Sequence, residues 1–141
     1  REVGSSEGAL VRFRREAEVT SRLRHPNIVQ VVDFASLPDG TPYMVMEFLD
    51  GWDLAEEIRA RGPMPPARVA DLVSQIAAGL EAAHAEGIVH RDIKPANVFV
   101  TPVRGSDREL ATIVDFGISK VKDAEQALTR SQSVIGTPQY M

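Results

Sequence analysis

The stretch Ile88–Val100, IVHRDIKPANVFV, limits this chain more than any other. It sets His90, Arg91, Asp92, Lys94 and Asn97 within eight consecutive positions, between the apolar lead-in Ile88-Val89 and the apolar run Val98-Phe99-Val100. Polar side chains framed by buried-looking segments cost free energy unless they are engaged, so this is read as an active-site loop. The spacing suits phosphoryl transfer, in which a protein mainly positions a hydroxyl and neutralises oxygens. Asp92 is placed to accept the hydroxyl proton, Lys94 to offset charge on the moving phosphoryl, and Asn97 to offer a carbonyl oxygen to a divalent cation. A further acid, Asp115, stands in Asp115-Phe116-Gly117 directly after Ile113-Val114. A carboxylate there suits Mg²⁺, a hard cation that binds oxygen together with substrate phosphates.

The surrounding pattern alternates short helices and strands. Leu10, Phe13, Ala17, Thr20 and Leu23 recur at helical spacing and predict a helix over residues 10 to 24, which Pro26 forbids from continuing. On that helix Glu16 falls within the apolar face and Glu18 projects away from it. A carboxylate on a buried face calls for a cation partner. Residues 28 to 35 are rich in valine and isoleucine and read as a strand; Pro38-Asp39-Gly40 makes a turn, and Tyr43–Phe48 returns as the second strand of a hairpin. Leu54–Arg61 reads as a short helix stopped by Gly62-Pro63, and Asp53 before it stands where an aspartate could cap it. Pro65-Pro66 opens the most regular helix, whose stripe of Val69, Leu72, Val73, Ile76, Ala77, Leu80 and His84 runs to a terminating Gly87. On that stripe His84 is expected as a packed residue. Val98–Val100 and Leu110–Val114 are strands joined by the polar residues 101 to 109. Lys120–Ser133 has no periodic face and reads as a surface loop with hydroxyl residues near its end.

With 16 basic and 20 acidic residues interspersed, the net charge is 16 − 20 = −4, and no basic stripe argues for nucleic acid. Cysteine is absent, which excludes disulfides and thiolate metal sites. No apolar run approaches the roughly 18 residues of a membrane span, so no membrane contact is expected from this segment, and the protein is expected in the cytoplasm, its parent open to a membrane anchor elsewhere.

HRDIKPANV followed by VDFG resembles the catalytic loop and magnesium loop of eukaryotic-type serine/threonine protein kinases, in a wording similar to bacterial members. The resemblance implies an α+β, protein-kinase-like bilobal fold, here partial: residues 1–48 as part of the amino-terminal lobe, and 49–141 as hinge and part of the carboxy-terminal lobe. It implies ATP with Mg²⁺ (or Mn²⁺), protein substrates with Ser/Thr acceptors, and room for dimerisation during autophosphorylation in trans. Asp92 would be the base, Lys94 the charge stabiliser, and Asn97 and Asp115 the metal ligands. Glu16 would pair a lysine of the lobe's third strand that lies outside this chain, as does the glycine-rich loop. From VMEFLDG, Met46 would be the gatekeeper and a core residue beside the adenine pocket, with Glu47 and Leu49 offering backbone carbonyl and amide to the adenine edge. Asp53 matches the acid that bonds ribose hydroxyls, although a helix cap explains it equally. Phe99 would pack beneath the adenine, and His90 against Phe116. Gly117 would allow a flip of Asp115 and Phe116.

The same resemblance turns Lys120–Ser133 into an activation segment, switched by phosphorylation of Thr129 or Ser131 and read out by Arg91. Thr137, in GTPQYM, would bond Asp92 and Lys94 and favour Ser/Thr acceptors. A non-catalytic nucleotide- or partner-binding module is the reading from another class, and intact Asp92, Asn97 and Asp115 speak against it. A small-molecule phosphotransferase is disfavoured by Lys94 and GTPQYM. Both ends look cut, and the 141 residues alone are expected to be inactive or poorly folded, since an exposed sheet edge and uncovered apolar faces would remain.

Overall fold

The computed structural model describes residues 21–39 and 41–116. Of the helix expected over 10 to 24, the described end contributes a helical Ser21 and a buried Leu23. The chain then turns at Pro26, where the Ile28 amide donates to the His25 carbonyl at 3.0 Å and the Asn27 amide to His25 Nδ1 at 3.2 Å.

Strand β1 (Val31–Ser36) pairs antiparallel with β2 (Pro42–Met46), with a register irregularity between Val31 and Asp33. The expected strand began at residue 28. Instead Ile28 and Val29 are buried and run parallel to residue 113: Val29 donates to the Ile113 carbonyl and Ile113 to that of Asn27, each at 2.9 Å. The segment changes partner at Gln30, whose amide meets Glu47 Oε1 at 2.8 Å while the Glu47 amide returns to the Gln30 carbonyl at 3.0 Å.

A second sheet has the order β3-β4-β5, all antiparallel: β3 (Trp52–Asp53), β4 (Val98–Pro102) and β5 (Glu109–Ile113). Helix α1 (Leu54–Arg61) follows β3 directly. Asp53 caps it by accepting from the Glu56 amide at 2.7 Å, and its acids lie in the first turn and its arginines in the last, as the helix dipole favours. Helix α2 (Pro66–Ala85) starts on a proline and ends with Gly87 at φ 74°, where Gly87 donates to the His84 carbonyl and Ile88 to that of Ala83. A left-handed residue closing a helix with these two bonds is the position glycine occupies at least cost.

Two apolar clusters meet along α2. Leu23, Ile28, Ala83, Ile113 and Phe116 form one, and Leu54, Leu72, Val98, Val100 and Ala111 the other, with Ile76 packed against both. The buried stripe of α2 is therefore Leu72, Gly79 and Ala83. Val69 and Val73 lie exposed, and so does His84, which corrects its expected packed position. The inner face was taken by groups that hydropathy does not rank: Gly79, which lets the Asn27 backbone approach, and the polar Arg68 and Gln75, which bond β5.

Candidate active site

The loop between α2 and β4 folds around one buried imidazole. His90 packs edge-on against Phe116, with ring centroids 4.7 Å apart at 66°, as expected from the sequence. Its Nε2 lies 3.0 Å from the Val114 carbonyl and its Nδ1 accepts from the Asp92 amide at 3.3 Å. A neutral ring carrying hydrogen on Nε2 satisfies both contacts. Burial lowers its pKa, against smaller raising effects from the Val114 carbonyl and from Asp92 and Asp115.

Beyond His90 the chain crosses Arg91 at φ 69°, then reaches Asp92, Lys94 and a 3₁₀ turn, Pro95–Asn97. Lys94 Nζ meets Asp92 Oδ2 at 2.7 Å. Asn97, buried, donates through Nδ2 to the Asp92 carbonyl at 2.9 Å and, more weakly, to Asp92 Oδ2 at 3.4 Å. Its amide nitrogen is thereby committed to Asp92, and Oδ1 is the end that remains for a cation. The Asn97 carbonyl accepts from the Val114 amide at 2.9 Å, so the backbone leading to Asp115 is stitched to the same turn. Asp115 is exposed and holds φ 60°. Left-handed backbone in a non-glycine residue costs on the order of 1–3 kcal/mol and persists only where the surroundings impose it. Here it occurs at Arg91 and Asp115, which bracket the cluster.

The nucleotide-contact candidates are placed unevenly. Asp53 and Phe99 are cross-strand partners, both half-buried, and Asp53 is already the cap of α1. Glu47 and Leu49 line an open cavity of about 310 Å³ with Ile28, Gln30, Leu110 and Thr112. Phe99, Asp53 and Asp92 are not among its lining residues, so this cavity is not the site those residues build. Met46 departs from expectation: it pairs with the buried Val31 but is itself 41% exposed, so among the described residues it is no core residue. Glu16, Gly117, Thr129, Ser131 and Thr137 lie outside the described residues.

Among the described residues no group of three His, Cys, Asp or Glu side chains could hold a metal. One carboxylate and one amide oxygen beside substrate phosphates are nevertheless a donor set that fits Mg²⁺. Asp115 and Asn97 supply that set, on segments joined by the Val114–Asn97 bond.

Sequence reasoning missed two polar networks. Asn27 Nδ2 donates to the Ala111 carbonyl at 2.7 Å and to Gln75 Oε1 at 3.1 Å, and Gln75 Oε1 also accepts from the Ala111 amide at 2.9 Å. This ties the 25–28 turn and α2 to the strand that delivers Asp115. The second network centres on Glu57, buried in α1 and bonded to Arg68, Arg61 and Trp52. Its only sequence signal is the i,i+4 spacing of Glu57 and Arg61.

The protein kinase domain family matches residues 2–141. Serine/threonine-protein kinase pkn3 of Myxococcus xanthus is 41% identical over 140 residues, 97% of this chain and 25% of its own length. PkaA of Streptomyces coelicolor, also a serine/threonine-protein kinase, is 42% identical over 140 residues, 99% of this chain and 25% of its own length. The chain thus spans about a quarter of the length of these relatives. The crystal structure of the Mycobacterium tuberculosis PknI kinase domain is similar with a TM-score of 0.67 at 38% identity, covering 77% of this chain and 43% of that one. Rad53 residues 1–466 in complex with AMP-PNP is similar with a TM-score of 0.66 at 31% identity, covering 81% of this chain and 32% of that one.

Proposed function

Since this chain belongs to the protein kinase domain family, we propose that the protein carrying it is an ATP-dependent serine/threonine protein kinase of bacterial type. It would transfer the γ-phosphoryl of ATP to Ser/Thr hydroxyls of protein substrates. The observation that carries the reading is the Asp92 carboxylate, held between the Lys94 ammonium at 2.7 Å and the Asn97 amide, at the mouth of a loop with strained backbone on either side.

In the transfer, the substrate hydroxyl oxygen bonds to the γ-phosphorus as the bond from that phosphorus to the β,γ-bridging oxygen breaks, and ADP leaves with the electron pair. The hydroxyl proton passes to Asp92. Lys94, already oriented by Asp92, places positive charge where the equatorial phosphoryl oxygens gather. Asn97 Oδ1 and the Asp115 carboxylate would hold Mg²⁺ or Mn²⁺, which when bound neutralises charge on the nucleotide phosphates. His90 and Phe116 keep the Asp115 backbone against the catalytic loop through the Val114 carbonyl.

The test is Asp92→Asn in the full-length protein. Phosphotransfer to a protein substrate should fall by about 10²- to 10⁴-fold, the usual contribution of a positioned general base, while ATP is still bound. Undiminished transfer by the variant ends this reading, and so does a wild-type protein that binds ATP but phosphorylates nothing.

A further inference from the structure

Glu57 is the one buried carboxylate among the described residues, its side chain 2% exposed. Taking charges out of water costs several kcal/mol per ion, so a buried ion pair is weak evidence for added stability and better evidence for a fixed geometry. Every bond Glu57 makes reaches a different place. Oε2 accepts from Arg68 Nη2 at 2.8 Å and from the Trp52 indole Nε1 at 2.8 Å, and Oε1 accepts from Arg61 Nη1 at 3.2 Å. The same Arg68 guanidinium grips Glu109 with Nε to Oε2 at 2.6 Å and Nη2 to Oε1 at 3.0 Å. One arginine on the first turn of α2 therefore ties α1 to the start of β5. Hydrogen bonding from Arg68 is the first cause holding Glu57 below the usual carboxylate range, and its bond to Glu57 is the first cause raising Arg68.

The parts held by this clamp adjoin residues that the kinase reading sets against the nucleotide, Asp53 and Phe99. Trp52, bonded through its indole and covered by the Arg61 guanidinium 5.2 Å from the ring centroid, pairs with Val100. Its neighbour Asp53 pairs with Phe99. Helix α1 also packs on the Pro95–Asn97 turn. Helix α1 does not need Arg68 to exist, since it has its own cap and charge arrangement.

We propose that Arg68, acting through Glu57, is a positioning residue for the nucleotide: it fixes Trp52–Asp53 and the first turn of α1 against Phe99 and the Asn97 turn, and thereby sets nucleotide affinity without entering the transfer step. The proposal rests on the kinase reading of the site. A guanidinium is required because it engages Glu57 and Glu109 together with its planar fork, which an ammonium at a single point does not reproduce.

The experiment compares wild type, Arg68→Met and Arg68→Lys in the full-length protein. It measures the Kd of a non-hydrolysable ATP analogue, KM for ATP and kcat at saturating ATP. Arg68→Met should raise Kd and KM together by about tenfold, the lower end of what losing an outer partner that orients a binding group costs, with kcat within about twofold of wild type. Arg68→Lys should fall between the two. A folded Arg68→Met protein with unchanged Kd overturns the proposal, and so does a loss confined to kcat. If Arg68→Met does not fold, an Arg68→Lys protein with wild-type Kd overturns it equally. Analogue binding requires no turnover, so a protein that binds nucleotide but transfers no phosphate would end the kinase reading and leave this test standing.

Discussion

At His90 a buried imidazole has no room for a second proton. Nε2 is bonded to the Val114 carbonyl, while Nδ1 already accepts from the Asp92 amide, so protonating it would set two donors face to face. Its folded pKa is lowered, chiefly by burial, from an unfolded value near 6.5. Below about pH 6.5 the unfolded chain therefore binds a proton that the folded one refuses, and linkage makes stability fall as pH drops through that value, levelling off below the folded pKa. Above it this residue contributes no pH dependence. The expectation is a denaturation midpoint that declines between about pH 7 and about pH 5, with a shallower decline in His90→Phe, which keeps the ring against Phe116. Equal slopes for the two proteins would refute the assignment. The same residue guards the site, because its Val114 contact holds the backbone one position before Asp115, where φ is 60°. Loss of His90 should thus be felt in activity at neutral pH as well as in acid stability.

At the scale of elements, the bounds of α1 were legible to the residue from the stop at Gly62-Pro63, and the helix found is Leu54–Arg61; Asp53, open in the sequence between cap and ribose contact, is seen as its cap. The ends of α2 were equally plain, since proline and glycine act through local backbone geometry. Its inward face was not, because that depends on what arrives from elsewhere in the chain. Gly79 is buried because the turn at Asn27 comes close to it. An added Cβ would stand 3.0 Å from the Asn27 carbonyl oxygen and 3.1 Å from Ile113 Cδ1. Asn27 and Gln75 are 48 positions apart, and Arg68 and Glu109 are 41 apart, distances over which no periodicity speaks. Strand β3 has two residues, too few for alternation to register. The cluster around Asp92 was readable for the opposite reason, since Asp92, Lys94 and Asn97 sit within six positions and meet through short bonds. Gly79→Ala tests the long-range part. Wedging a methyl between backbone and Ile113 should cost about 1–3 kcal/mol, the usual penalty of overpacking, measured by urea denaturation. A variant as stable as wild type would show that the Asn27 turn yields freely.

Across the whole molecule, apolar surface is distributed unevenly. The inner sides of α2, β4 and β5 are closed, with Val100, Ala111 and Ile113 fully buried. Elsewhere the described surface stays open: Tyr43 and Val45 lie on one face of the β1–β2 pair, Val32 is 67% exposed beside the register irregularity, Phe48 is 90% exposed just after β2, and Val73 is 55% exposed on the outer side of α2. Scattered exposed apolar residues are ordinary, but a two-stranded sheet that among the described residues has one uncovered face and unpaired edges offers both hydrogen-bonding groups and apolar contact to a second chain. A net charge of −4 spread over 141 residues gives only weak repulsion against that association. The 141-residue chain by itself should therefore self-associate as its concentration rises towards about 100 μM, within the range where exposed edges become sticky. Sedimentation velocity reads this directly as a mass that grows with concentration. Val45→Lys combined with Phe48→Ser should return the mass towards that of a monomer, because it places charge on the open face and removes the most exposed ring. A wild-type chain that remains monomeric over the whole range, or a double variant that associates as strongly, would mean that these surfaces do not govern the behaviour of the isolated chain.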